Sequence, residues 1–402
     1  MSKQHTEPTT AAPRSLAPDL ARGAMLLPIA VANVMIYLHG RPYGLRQHVV
    51  PEDPTDRLVT FLTVAAVDGR AYPLFAALYG YGLARIFDRT LHRATPDAAR
   101  RLLRRRSLIL ILFGLLHAVA GFSGDVLGWY GLLGIVLAGF LRASDRTLLR
   151  VAVAGLLVTS LLQGVVYSEP GTKQERSYLW SFAIADPVEA LGWRLVEWPM
   201  TAAGLLAVVP AVLAGIWIAR HGVLDAPAAH AGLLRRVAIA GILAGLAGGI
   251  GPGLIAVQAW SPSYPVTLGL ACLHVLTGVL CGLGYLAALA LVAERLGARH
   301  RTLPFPARAL EATGRRSLSC YLAQSVVFVG LLPAWSLGWG AHLGSAQALL
   351  LAVATWGATV LFAAWLERHG RRGPAELALR TLLGREPAPA GTPRGAGRGT
   401  IP

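Results

Sequence analysis

The chain has 402 residues, of which 54% are hydrophobic and 14% charged, and its mean hydropathy is +0.52. That is too apolar for a soluble protein of this length and points to a polytopic membrane protein. A formal charge of +16 invites a nucleic-acid partner, but the placement of Lys and Arg argues instead for membrane orientation and no nucleic acid.

Apolar runs lie at about 24–39, 58–87, 107–122, 125–141, 147–167, 200–219, 236–258, 266–293, 317–333 and 346–366, which predicts an all-α bundle of about ten transmembrane spans. Some are shorter than the roughly 20 residues that cross about 30 Å of hydrocarbon, and these extend into the interface. With a cytoplasmic N-terminus, the cytoplasmic segments hold 30 Lys/Arg and the outer loops 6, leaving Arg70 inside a span. Both termini are then cytoplasmic, and orientation accounts for the charge.

Residues 1–18 and 385–402 are polar or rich in Pro, Gly and Ala, so they read as disordered cytoplasmic tails around a single transmembrane domain at 19–384. The first apolar run lacks a small-residue cleavage site after it, so no signal peptide is expected and the first span is retained. That span opens Asp19-Leu-Ala-Arg22-Gly23, with a carboxylate and a guanidinium three apart on one helix face. They are either a helix-start acid and an interfacial anchor or part of a binding site. Pro28 interrupts the hydrogen-bond ladder; Asn33, Tyr37 and His39 follow towards the outer end, with Asn33 and Tyr37 on one polar stripe.

The second run is broken by Asp68-Gly69-Arg70 and Pro73. A charged pair beside Gly and Pro suits an opened helix lining a polar cavity, with a structural ion pair as the plainer alternative. On a continuous helix Asp68 and Arg70 would splay apart, so either the helix opens or each has its own partner. The loop from Arg85 to Arg106 carries eight arginines. They could hold the phosphates of a nucleotide-containing donor, but the orientation rule explains them as well and is preferred.

Next comes a hairpin: SLILILFGLLHAVAGF (107–122), a turn at Ser123-Gly124-Asp125, and VLGWYGLLGIVLAGFL (126–141). An ionisable residue within a span must face protein or a water-filled cavity, which makes His117 a functional candidate. Asp125 is its candidate orienting carboxylate. The plainer alternatives are that Asp125 caps the following helix and His117 bonds a neighbouring one. The outer loop at 168–199 mixes acids and bases with Tyr178, Trp180, Trp193 and Trp198, and reads as an interfacial aromatic belt in preference to a lid.

Later spans are rich in small residues, as in GILAGLAGGIGPG (241–253), which favours close packing. In the ninth, Ser317, Tyr321, Gln324 and Ser325 form one polar helical face that turns inward to bond other helices or a ligand. Cys272, Cys281 and Cys320 lie in or beside apolar spans and read as small buried residues, so no metal is assigned. There is no Gly-x-Ser-x-Gly elbow, phosphate loop or zinc signature.

Three stretches, GLLHAVAGFSGDVLGWYGLLG (114–134), GRRSLSCYLAQS (314–325) and RRGPAELALRTL (371–382), resemble landmarks of the YeiB-like bacterial membrane proteins. DLARG (19–23) followed by Asn33, and FAALYGYGL (75–83), fit as well, and the likeness runs over about 14–384. That largely uncharacterised family is grouped remotely with transmembrane acyltransferases, including the lysosomal heparan glucosaminide acetyltransferase and bacterial enzymes that modify surface sugars. The resemblance implies a multi-pass protein of the bacterial inner membrane that moves an acyl group from a cytosolic thioester to an acceptor at the membrane or its outer face. His117 and Asp125 match the family's His and Gly-Asp positions, and Asp19 and Arg22 its opening motif. In the better-known acyltransferases the key histidine is attached to the outer end of the first span, where this chain has His39.

The expectation is therefore an acyltransferase using acyl-CoA as donor and a hydroxyl or amine acceptor, with no tightly bound cofactor. His117, Asp125 and His39 are the catalytic candidates. Asp19, Arg22, Asn33, Asp68, Arg70, Tyr321, Gln324 and Ser325 are the binding candidates, with Arg70 or Gln324 stabilising charge on the reacting carbonyl. The alternative is a non-enzymatic carrier or export permease with Asp68, Arg70 and His117 on its pathway.

Overall fold

The structure is a computed structural model that describes residues 15–169, 171–300 and 302–384. Most of both expected tails falls outside those residues. The described residues are helical, apart from loops and isolated bridges that tie Tyr43 to Val49 and to Lys173.

Helix α1 (Ala17–Ile36) leads into an irregular stretch at 37–53, followed by α2 (Pro54–Ala66) and α3 (Ala71–Leu91). The predicted interruption is therefore real: the second run is two helices with residues 67–70 between them. Asp53 starts α2 by accepting the Thr55 and Asp56 amides at 2.8 and 3.0 Å, with Pro54 at the first helical position. The hairpin follows as α4 (Pro96–Ala120) and α5 (Leu127–Val136), the latter continuing as a 3-10 turn to Arg142.

Gly114 is required here. A Cβ at that position would collide with the Gly128 amide and the Asp125 carboxylate, so its absence lets α4 and α5 touch backbone to backbone. Gly121, at φ +156°, ends α4 where a Cβ would strike Val329.

The chain continues through α6 (Asp145–Tyr167), α7 (Pro187–Met200), a 3-10 segment and α8 (Val209–Arg220). The longest pair is α9 (Ala231–Ala256) and α10 (Tyr264–Arg299), packed through Gly241, Gly245 and Gly248. The ninth predicted run is preceded by a separate helix, α11 (Phe305–Arg315), before α12 (Ser317–Leu331). Helices α13 (Ser345–Arg368) and α14 (Pro374–Leu383) complete the bundle. Helix α1 runs through its interior, against α3, α10, α11, α12 and α13.

Among the described residues, six helical segments are long and apolar enough to cross a membrane, the broken α2–α3 pair counted as one, and three shorter apolar helices accompany them. The outward faces are apolar: Leu149 on α6 is 65% exposed and Leu350 on α13 69%. Such continuous exposed apolar faces belong against lipid. The molecule is an all-helical membrane bundle.

Candidate functional site

The broken helix, the 37–53 stretch and the 168–186 loop meet at the end of the bundle expected to face outward. Between them and α5, α6 and α10 lies a cavity of about 250 Å³. Its polar wall includes Arg46, His48, Asp68, Asp125, Arg176 and His274. Tyr72, Trp129, Tyr130, Tyr167 and Tyr178 supply its aromatic wall.

The hairpin brings the first pair of candidates together. His117 Nδ1 donates to Asp125 Oδ1 at 2.8 Å, while Asp125 Oδ2 accepts the Gly128 amide at 2.8 Å. Asp125 therefore caps the entry to α5 and orients the imidazole at once, so the two alternative roles coincide. The ring of His117 lies edge-on to Tyr321 at 5.3 Å and against Phe122 at 5.5 Å. Its Nε2 is buried without a hydrogen-bond partner among the described residues, as are the Tyr321 and Tyr37 hydroxyls and both amide atoms of Gln324. The inward polar face of α12 is thus present: Tyr321, Gln324 and Ser325 are all buried.

His39 is placed differently. It is buried, and its Nε2 contacts the Leu332 carbonyl at 3.3 Å, which ties the end of α1 to the end of α12. Asn33 accepts the Tyr72 hydroxyl at 2.6 Å, so it positions one aromatic wall of the cavity. Asp19 and Arg22 pair with each other at 3.0 Å at the opposite end of α1. They are not part of the cavity wall.

Asp68 and Arg70 have separate partners. Asp68 Oδ2 accepts from His48 Nε2 at 2.6 Å and lies 3.6 Å from Arg46 Nε. Arg70 is fully buried, donating to His274 Nε2 at 2.8 Å and to the Gly245 carbonyl at 2.7 Å, with a further contact to the Asp68 carbonyl. Opening the helix at 67–70 lets the two side chains leave in different directions.

Three contributors were not singled out from the sequence: Arg46, His48 and His274. Arg46 and His48 sit in an irregular loop without periodicity. His274 did carry a signal, because it is an ionisable residue inside an apolar span. The 168–186 segment is also more than an interfacial belt, since Arg176, Tyr178 and Leu179 line the cavity. Arg176 reaches the Met35, Leu38 and Gln47 carbonyls at 3.3–3.5 Å and lies over the Tyr43 ring. Nearby, burial raises the pKa of Glu169, but hydrogen bonds from Ser177 and Lys173 outweigh it and hold the carboxyl below its ordinary value.

Fold and site together define a polytopic helical membrane protein with a buried, polar and aromatic cavity at one end. A family described as "Protein of unknown function (DUF418)" matches residues 218–386. The uncharacterized protein YeiB of Escherichia coli is 24% identical, with 94% of this chain and 98% of that protein covered. The uncharacterized protein YxaH of Bacillus subtilis is 26% identical over 75% of this chain and 76% of its own length. No solved structure matches. The chain is thus similar to YeiB and YxaH over most of its length, and neither relative's name carries an activity.

Proposed function

We propose that the protein is a membrane acyltransferase in which His117, held by Asp125, is the general base. The observation that supports this reading is the His117 ring itself: Nδ1 is fixed on a carboxylate, and the buried Nε2 has no partner among the described residues. With Nδ1 turned to the carboxylate, Nε2 is the nitrogen left to take a proton from an acceptor. The acceptor hydroxyl or amine gives its proton to Nε2 and attacks the thioester carbonyl carbon. The carbon–sulfur bond then breaks and the leaving thiolate takes the proton from the imidazolium, which yields acylated acceptor and free thiol.

Tyr321 and Gln324 have donors to offer the developing oxyanion, whereas Arg70 is already engaged with His274 and Gly245. His39 is less suited to act as base because its Nε2 is already against the Leu332 carbonyl. The test is to incubate the protein in lipid nanodiscs with a panel of acyl-CoAs and candidate acceptors and follow free thiol. Release that depends on acceptor and disappears in His117→Ala is expected; acyl-CoAs left intact with every acceptor would count against the reading.

One observation favours a second reading, a carrier: Asp68 and Gly69 of a broken helix line the cavity, as in many transporters. A carrier would move substrate across a vesicle membrane without consuming acyl-CoA.

A further inference from the structure

The charges around the cavity do not balance. Arg46 and Arg176 line it, and Arg70 stands directly behind His274, against the carboxylates of Asp68 and Asp125. Both carboxylates are engaged, Asp68 by His48 and Asp125 by His117 and the Gly128 amide. The next acids outward do not make up the difference. Glu169 is paired with Lys173 at 2.9 Å, and Glu197 accepts from Ser123 and Ser181 and offsets Arg194. The lining itself carries two guanidiniums and two carboxylates, and Arg70, one layer behind His274, is the third positive charge; with neutral histidines that leaves an excess of one, and protonating any histidine widens it. Surplus positive charge in a buried site is costly until an anion enters.

The two lining arginines come from segments that touch. Arg46 and Gln47 both have left-handed backbones, at φ +58° and +62°, and Arg176 contacts the Gln47 carbonyl at 3.4 Å. Two successive non-glycine residues in that region are strained, and Arg46 lies over the Tyr167 ring, 4.1 Å from its centroid. The Nε of Arg176 is buried with no hydrogen-bond partner among the described residues, and that of Arg46 has only the Asp68 carboxylate, at 3.6 Å. Phosphate, with several oxygens, suits a cavity lined by two guanidiniums. The aromatic wall suits a hydroxylated ring or chain. A volume of about 250 Å³ is roughly that of eight waters at ~30 Å³ each, enough for one small head group.

We propose that the cavity binds a phosphate-bearing polyol or sugar head group, presented either free or by a lipid. It rests on the acyltransferase reading only in making that head group the acceptor; of the proposed pair Asp125 lines the cavity and His117 is bonded to it from outside the lining.

The test measures binding without any donor. The full chain in phosphatidylcholine nanodiscs is titrated calorimetrically, and its melting midpoint followed, with glycerol 3-phosphate and glucose 6-phosphate against glycerol and glucose. A second arm compares discs containing phosphatidylglycerol. Saturable binding of a phosphate compound, absent for its neutral counterpart, is expected if the head group is taken free; a stabilisation confined to phosphatidylglycerol discs assigns it to a lipid. Arg46→Gln should weaken either response by about tenfold or more, and Arg46→Lys by less. Arg46→Gln is the deciding variant because Asp68 keeps His48, whereas Arg176 also ties three carbonyls. No response in either arm, equal response to glycerol, or wild-type binding by a folded Arg46→Gln would overturn the proposal. Phosphate binding without thiol release from acyl-CoA would leave it standing and remove the transfer reading.

Discussion

His117 and Asp125 are eight residues apart in the chain and 2.8 Å apart in space, joined across the tip of one helical hairpin. The contact exists because Gly114 lets α4 lie directly against the Gly128 backbone of α5 with no side chain between them. The pair is therefore local: it needs the hairpin, and the rest of the bundle only seals it.

If His117 is the base, His117→Ala should leave the protein folded and reduce acyl transfer by about a hundredfold or more, the usual scale for removing a positioned acid–base group. His117→Gln should restore packing and leave turnover low. Asp125→Asn should be milder and His39→Ala milder still. Thiol-release rates of the four purified variants decide this, and an inactive His39→Ala beside an active His117→Ala would move the base to the end of α1.

Gly114→Val should separate α4 from α5, since even a Cβ has no room beside the Gly128 amide and the Asp125 carboxylate. Overpacking of this kind costs about 1–3 kcal/mol. A lowered melting midpoint with loss of turnover is expected. An unchanged midpoint would mean that the helices do not approach as closely as described.

Asp68 and Arg70, two residues apart, should behave nearly independently because their side chains have different partners. A double-mutant cycle between Asp68 and His48 should show the larger coupling, about 1 kcal/mol or more, and the cycle between Asp68 and Arg70 the smaller. Unfolding in detergent measures both. The reverse order would indicate that Asp68 and Arg70 form the dominant pair.

Reporter fusions after Arg101, Arg308 and Arg385 should report cytoplasm, and fusions within 170–190 the outside. An outside signal after Arg101 would invert the bundle and place the cavity on the cytoplasmic side.

The parts of this molecule legible in the sequence are those encoded over short distances. Gly-Asp turns, an imidazole in an apolar run and an Asp-Gly-Arg interruption each break a local pattern, so the hairpin, the broken helix and the His117–Asp125 pair could be anticipated. The opposite half of the site could not. His48 meets Asp68 only because residues 37–53 fold back over the break, and His274 meets Arg70 across 204 positions. No spacing rule connects such residues. The inward face of α12 was readable as polar, but its meeting with His117 depends on how α12 packs. Asp19 and Arg22 were readable as a pair, and their distance from the cavity follows only from the length and course of α1.

The burial of Arg70 bears on how the protein is made. Its acceptors, the Gly245 carbonyl and the His274 ring, lie 175 and 204 residues downstream. While the ribosome is still synthesising the middle of the chain, the second segment enters the bilayer with a guanidinium whose only partner so far is the Asp68 carbonyl. That segment must wait at the translocon, or keep Arg70 hydrated, until α9 and α10 arrive and allow it to settle. Settling of the broken helix thus depends on a helix pair that is synthesised long after it.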